Sequence, residues 1–273
     1  MNLTPAQHLE QVLTAFASPE NPRLRELLAS TIRHLYAIVE ETNLTHEEWF
    51  AAIDFLTKVG KKSDEVRQEF ILLSDTLGVS MLLEMINYRA SASATEPTVF
   101  GPFHVDGSPQ RRIGESIVAH ALDSDEPLKV RGCVLNTKGA PIAGATLDVW
   151  QVQSNGLYDV QQSQDTRNLR GIFTTSADGT YEFTTVRPVD YSIPDDGPVG
   201  MMLAVAGRHP FRPAHIHFVV SADGHIPVTT HIFDSRSKYL ESDAVFGVRK
   251  SLVVSMENGL CEKDFVLEVR PAE

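Results

Sequence analysis

Cysteine is nearly absent from this chain of 273 residues: only Cys133 and Cys261 occur, neither with a C-x-x-C partner. That excludes a disulfide scaffold and a thiolate metal site, and leaves a reducing compartment as the default setting. Long apolar runs are missing as well. The longest, such as Met201 to Ala206, fall far short of the roughly 18 residues with which a helix crosses a bilayer. The opening Met1-Asn2-Leu3-Thr4-Pro5 lacks the basic and apolar regions of a secretory signal, so a cytoplasmic protein is expected. Positive charge is in deficit: 24 Lys and Arg against 36 Asp and Glu give a net charge of −12. This argues against a nucleic-acid or anionic-membrane partner, both of which require clustered basic groups. With 42% apolar and 22% charged residues the composition is that of a globular chain, long enough for one large domain or two modest ones.

What is present divides near residue 95. The first ninety residues repeat apolar positions at three and four, which predicts helices. Thr45-His46-Glu47-Glu48 fits a capping box. Ser63-Asp64-Glu65 predicts a second start, with Val66, Phe70, Leu73 and Leu77 as one stripe up to Gly78, and a short helix is expected from Val79 to about Tyr88. A small polar linker, Ser91 to Pro97, follows. Beyond it, Val130–Leu135, Ala145–Val152, Thr180–Val186, His215–Val220, Val228–Phe233, Ser251–Met256 and Phe265–Val269 read as strands between turn signals such as Asp178-Gly179 and Asn258-Gly259. The expectation is an α+β chain: a helical cap over 1–95 and a β-sandwich over 96–273.

The sharpest chemical feature is Arg212-Pro213-Ala214-His215-Ile216-His217-Phe218. On a strand, the i, i+2 spacing puts both imidazoles on one face, half of a transition-metal site. No carboxylate or thiolate completes it at a recognisable spacing, and there is no H-E-x-x-H. Tyrosines remain. Tyr158, after Ser154-Asn155-Gly156, and Tyr191, between Pro188 and Pro194, lie in punctuated segments that can aim a side chain, although spacing alone does not choose between such a role and a half-buried ring with a wet hydroxyl.

Several separated motifs together resemble a known family. Val130-Arg131-Gly132, Asp148-Val149-Trp150-Gln151 and Gly156-Leu157-Tyr158 look like the signature of intradiol ring-cleaving dioxygenases. Pro188 to Pro194 with Gly197-Pro198 resembles their second tyrosine loop, and Gly207-Arg208-His209-Pro210 leading into Arg212 to Phe218 resembles their histidine strand. The resemblance implies one non-haem Fe(III) per subunit, held by Tyr158, Tyr191, His215 and His217 with a hydroxide or water in the fifth position. Two phenolates and a hydroxide balance the three charges of ferric iron, which reduces the cost of burying the site. It further implies that Tyr191 leaves the metal as a base when a diol chelates, and that Arg212 stabilises charge developing on the ring. The family also implies a homodimer through the N-terminal helices, with a lipid-like molecule between the caps.

Within the family the chain looks most like the group that cleaves hydroxyquinol (1,2,4-trihydroxybenzene) to 3-hydroxy-cis,cis-muconate, the enol form of maleylacetate. Val99 to Phe103, Tyr191 to Pro194, Thr229 to Phe233 and Ser242 to Val248 carry that likeness. By position, the substrate pocket is Leu72, Asp75, Val99, Phe100, Gly101, Pro102, Phe103, Ile193, Pro194, Arg212 and Val245. Asp75 is the informative member, since a carboxylate near a helix stripe invites a partner such as a third ring hydroxyl. An exposed helix-face charge is the plainer account of the same residue. Catechol and chlorocatechol remain alternative substrates. A non-catalytic prealbumin-like β-sandwich, suggested by Gly139 to Ala145 and Asp178 to Phe183, remains an alternative of another class, as does a cupin.

Overall fold

The structure is a computed structural model, which describes residues 3–17, 20–64, 67–88, 90–162 and 167–271. Local chemistry sets the helices. Thr4 accepts the Gln7 N–H at 3.2 Å while the Gln7 side chain accepts the Thr4 N–H at 3.0 Å, a capping box that opens α1 (Pro5–Ala15). Asn21 caps α2 (Pro22–Thr42) through the amides of Arg23 and Leu24, with Pro22 supplying a first residue whose missing N–H costs nothing there. The expected Thr45–Glu48 box opens α3 (His46–Lys62): Glu48 accepts the Thr45 N–H at 2.9 Å and Thr45 accepts the Glu48 N–H at 3.3 Å.

Two compact units result, 1–58 and 59–273. The first holds α1, α2 and most of α3. The second begins with α4 (Glu69–Thr76) and α5 (Val79–Asn87), separated by Gly78 at φ 77°. Two details correct the sequence reading. The helix opens at Glu69 and not at Ser63, with Glu65 and Val66 outside the described residues. Its inner face is not the expected stripe either, because Phe70 and Leu77 are 49% and 59% exposed while Glu69, Leu72, Asp75 and Thr76 are buried. Burying Glu69 is tolerable because its carboxylate accepts from Arg67 Nε at 2.8 Å and from the Val199 N–H at 3.2 Å.

The strands are β1 (Pro127–Asn136), β2 (Thr146–Gln151), β3 (Arg170–Thr174), β4 (Thr180–Val186), β5 (Tyr191–Ser192), β6 (Phe211–Arg212), β7 (His215–Ser221), β8 (Val228–Asp234), β9 (Val253–Val254), β10 (Leu260–Glu262) and β11 (Phe265–Leu267). A helix, α6 (Pro198–Val205), lies between β5 and β6. The strand expected over 251–256 shrinks to β9 behind a 3-10 turn, Lys250–Leu252. One sheet runs β3-β2-β7-β8-β9, and the other runs β10-β1-β11 with β4 also on β1. Both contribute to one core, in which Val130, Val134, Leu147, Val149, Phe173, Phe183, Phe218, Val220, Ile232 and Phe265 are fully buried.

That core decides where the chemistry sits. Side chains alternate along a strand, so sending Leu147 and Val149, Ile216, Phe218 and Val220, and Ile232 inward leaves Trp150, His215, His217 and His231 on the opposite face of the five-stranded sheet. Register then aligns three of them across adjacent strands: Trp150 pairs with His217, and His217 with His231. Among the described residues, no helix is long and apolar enough to cross a membrane.

Candidate metal centre

Four side chains predicted as metal ligands meet on that outer face. Tyr158 Oη lies 2.8 Å from His217 Nε2 and 3.1 Å from Tyr191 Oη, and His215 Nε2 lies 3.2 Å from His217 Nε2. All are buried, at 1% exposure for Tyr158, 5% for Tyr191, 1% for His215 and 2% for His217. Metal bonds near 2 Å put neighbouring donor atoms of one ion about 3 Å apart, and this set meets that requirement. Phenolate and imidazole together suit a transition metal such as iron. His231 sits beside the pair, so that His215, His217 and His231 also present ring nitrogens within 4.8 Å of one another.

Each donor is held from behind. His215 Nδ1 donates to the Pro213 carbonyl at 2.6 Å, which leaves Nε2 with its lone pair toward the cluster. His217 stacks on Trp150 with centroids 4.6 Å apart and ring planes 13° apart. Gly101, at φ 76°, passes so near that a Cβ there would stand 3.3 Å from His217 Cε1, which explains a glycine at this point of the segment. Tyr158 stacks on Phe103, and its turn is pinned because Arg170 bonds Asp159 Oδ1 at 2.8 Å and the Phe103 carbonyl at 2.8 Å. Tyr191 stands opposite Arg212 in the two-stranded β5–β6 ribbon. Its neighbour Asp190 accepts the Ala214 N–H at 2.9 Å and so ties the tyrosine loop to the entry of the histidine strand.

The electrostatics suit a metal. Burial, with Arg212 adding to it, holds His215, His217 and His231 well below the ordinary imidazole value, so their rings are neutral and carry lone pairs. Burial, then Tyr191, pushes the Tyr158 phenol well above its ordinary value, so only a strong cation at this point would make it an anion. Arg212 directs Nη1 at His215 Nε2, 3.2 Å away, and at Tyr191 Oη, 3.5 Å away. Burial opposes its charge, but Asp243 and the phenols outweigh that and raise its pKa. Asp243 takes Arg212 Nε at 3.1 Å and the Gly247 N–H at 2.9 Å.

The pocket residues divide by burial. Leu72, Asp75, Val99, Phe103, Ile193 and Val245 are buried, Gly101, Pro102 and Pro194 are half-buried, and Phe100 is exposed, with its ring on His104 and Trp150. Asp75 feels both Arg212 and Asp243, and Val245 follows Asp243 closely enough to donate its N–H to that carboxylate at 3.3 Å. Burial, the largest influence, raises the Asp75 pKa against the pull of Ser80 and Arg212. His231, Asp243, Trp150, Arg170 and Thr98 have no role in the sequence reading. His231, Asp243 and Trp150 lie inside motifs quoted there, but strand register and a long-range ion pair give them their partners.

Comparison with known proteins gives the following matches. A family model described as "Dioxygenase" matches residues 99–270, and one described as "Catechol dioxygenase N terminus" matches 21–95. The chain is 48% identical over 250 residues to a hydroxyquinol 1,2-dioxygenase of Rhizobium sp. (strain MTP-10005), covering 91% of this chain and 84% of the relative. It is 43% identical to a 6-chlorohydroxyquinol 1,2-dioxygenase of Cupriavidus pinatubonensis (strain JMP 134 / LMG 1197), covering 99% of this chain and 97% of the relative. The crystal structure of a hydroxyquinol 1,2-dioxygenase from Pseudomonas putida DLL-E4 superposes with a TM-score of 0.90 at 44% identity, covering 97% of this chain and 99% of that one.

Proposed function

Because the chain belongs to the intradiol ring-cleaving dioxygenase family, we propose that it opens hydroxyquinol with dioxygen between its two adjacent hydroxyl-bearing carbons, giving 3-hydroxy-cis,cis-muconate. Members of this family are non-haem iron enzymes. The observation that carries the reading is the convergence of two phenol oxygens and two imidazole nitrogens at 2.8–3.2 Å on one buried face. Tyr158, Tyr191, His215 and His217 would hold one iron(III) per chain. Bound there, the ion would supply Lewis acidity that activates the diol toward dioxygen.

The chain's own residues do the rest. Tyr191 Oη, a phenolate only while iron is bound, would take a proton from the incoming diol, and Arg212 Nη1, 3.5 Å away, faces that oxygen. The Arg212 guanidinium, anchored by Asp243, presents Nη1 toward the negative charge that grows on the ring oxygens. Burial of every donor keeps bulk water out, which strengthens these interactions. Asp75 accepts a hydrogen bond from the third ring hydroxyl and thereby separates hydroxyquinol from catechol.

Oxygen uptake with product identification, given hydroxyquinol and catechol separately, tests this reading, with Tyr158→Phe as the control for unaided oxidation of the substrate. Preference for catechol would keep the metal site and overturn the role of Asp75, whereas a colourless chain inactive on both would favour the non-catalytic prealbumin-like β-sandwich. A hydrogen bond to a charged group contributes about 1–1.5 kcal/mol more than one to a neutral group, so Asp75→Asn, which keeps an acceptor and loses the charge, is expected to lower kcat/KM for hydroxyquinol roughly 5- to 10-fold and to leave catechol nearly unchanged. The raised Asp75 pKa adds a second readout. A carboxyl that is more acidic unfolded than folded contributes stability at low pH and loses it as pH rises through its native value. Asp75→Asn should therefore gain thermal stability over the parent toward pH 8, and an unchanged pH profile would contradict a buried carboxyl at this position.

The cap, taken as 1–95 and ending where helix gives way to the extended segment beside the site, is the dimerisation region. In support, α2 leaves Leu27, Leu35 and Ile38 at 49%, 59% and 53% exposure, more apolar surface than a lone helix face explains. A lipid-like molecule between two caps would cover the same surface. Sedimentation equilibrium that returns the mass of one chain would overturn the dimer.

A further inference from the structure

Three histidines crowd the site, yet their ring nitrogens do not have equal freedom. His231 Nε2 lies 2.7 Å from His217 Nδ1, and His231 Nδ1 lies 2.5 Å from Thr98 Oγ1. Both nitrogens of His231 are therefore engaged away from the point where Tyr158 Oη and the Nε2 atoms of His215 and His217 converge. Thr98 is itself fixed, fully buried with its N–H donating to the Thr229 carbonyl at 2.9 Å. His217 and His231 stand directly opposite on β7 and β8, with ring centroids 4.1 Å apart.

We propose that His231 is a positioning residue that fixes the tautomer and orientation of His217, and is not itself a ligand of the metal. The inference rests on the reading of the site as an iron centre, and the protons follow from it. To offer a lone pair at Nε2, His217 must carry its hydrogen on Nδ1. That N–H donates to His231 Nε2, so His231 carries its own hydrogen on Nδ1 and donates it to Thr98 Oγ1. Each ring N–H of the two histidines then meets one acceptor, and the stack on Trp150 prevents the ring from turning away. The reverse arrangement would put a hydrogen on His217 Nε2, facing Tyr158, and would block the ligand position. Such partners behind a metal-bound histidine typically change affinity or activity about 10- to 100-fold when lost.

The test compares His231→Leu with His231→Gln. The amide of glutamine offers an acceptor for His217 and a donor for Thr98, whereas leucine offers neither. Competition with a chelator should show iron bound roughly 10- to 100-fold more weakly by His231→Leu, with a shifted visible absorption band, and restored to within a few-fold by His231→Gln. In metal-free protein labelled with 15N-histidine, NMR should find His217 protonated on Nδ1 in the parent and on Nε2 in a substantial fraction of His231→Leu. Unchanged iron affinity and tautomer in His231→Leu would overturn the proposal, and so would His231→Gln binding iron as poorly as His231→Leu. A parent chain that binds no iron while its His217 stays protonated on Nδ1 would instead overturn the metal reading and leave the tautomer assignment standing.

Discussion

Tyr158→Phe is expected to abolish ring cleavage and to bleach the iron-loaded protein, because it deletes the oxygen that lies nearest to both Tyr191 and His217. The ring itself should stay in place: phenylalanine keeps the stack on Phe103, whose centroid is 4.6 Å away. In the metal-free protein the change removes one buried hydroxyl and leaves His217 Nε2 without that neighbour, a cost of about 1–3 kcal/mol. Fold and chemistry therefore separate cleanly. Metal analysis, the visible spectrum and turnover should all collapse while circular dichroism stays that of the parent. Full iron together with full turnover in this variant would sink the ligand assignment.

Arg212→Met carries the second large effect, and it acts on two quantities at once. Arg212 is 3% exposed and forms the counter-charge of Asp243, itself 4% exposed. Removing one partner of a buried pair strands the other charge, which costs about 3–5 kcal/mol. Loss of a fixed donor aimed at developing charge lowers kcat by roughly 10²- to 10³-fold. The double variant Arg212→Met/Asp243→Asn distinguishes the two contributions. It keeps one acceptor, enough for the shorter bond from the Gly247 amide but not for that from Val245 as well, and no longer buries a lone carboxylate, so part of the stability should return. Turnover should not return with it. Recovery of both would make Arg212 a structural cation only.

These expectations rest on residues of unequal visibility in the sequence. His215 and His217 are legible because a strand repeats every two residues, so the motif specifies a shared face before any partner strand is known. The tyrosine loops are legible only through their likeness to a family, since neither Tyr158 nor Tyr191 stands at a diagnostic spacing from the histidines. His231 cannot be placed without knowing that β7 and β8 pair with position 217 opposite 231. Apolar periodicity points Phe70 and Leu77 inward, but the helix buries Glu69 and Asp75, which face groups from far along the chain, the Val199 N–H and the Arg212 guanidinium, as well as nearby Arg67 and Ser80. β10 and α6 are not legible, because three residues with a terminal glutamate carry little strand signal, and because Pro198 after Gly197 starts a helix inside a run that otherwise looks merely apolar.

The guanidinium–carboxylate pairs buried around the site include Arg170 with Asp159, Arg212 with Asp243, and Arg187 with Asp234, the last with its arginine partly open. Apolar residues of similar volume in such places are often neutral or stabilising by about 1–4 kcal/mol, so the Arg212 and Arg170 pairs, which hold the site in place, are a reserve of thermal tolerance that the reaction forbids drawing on. An engineer seeking a hardier catalyst for aromatic waste should leave these pairs alone and work on the remote helix caps and exposed turns, where gains of about 0.5–2 kcal/mol per change accumulate without touching the ring-opening step.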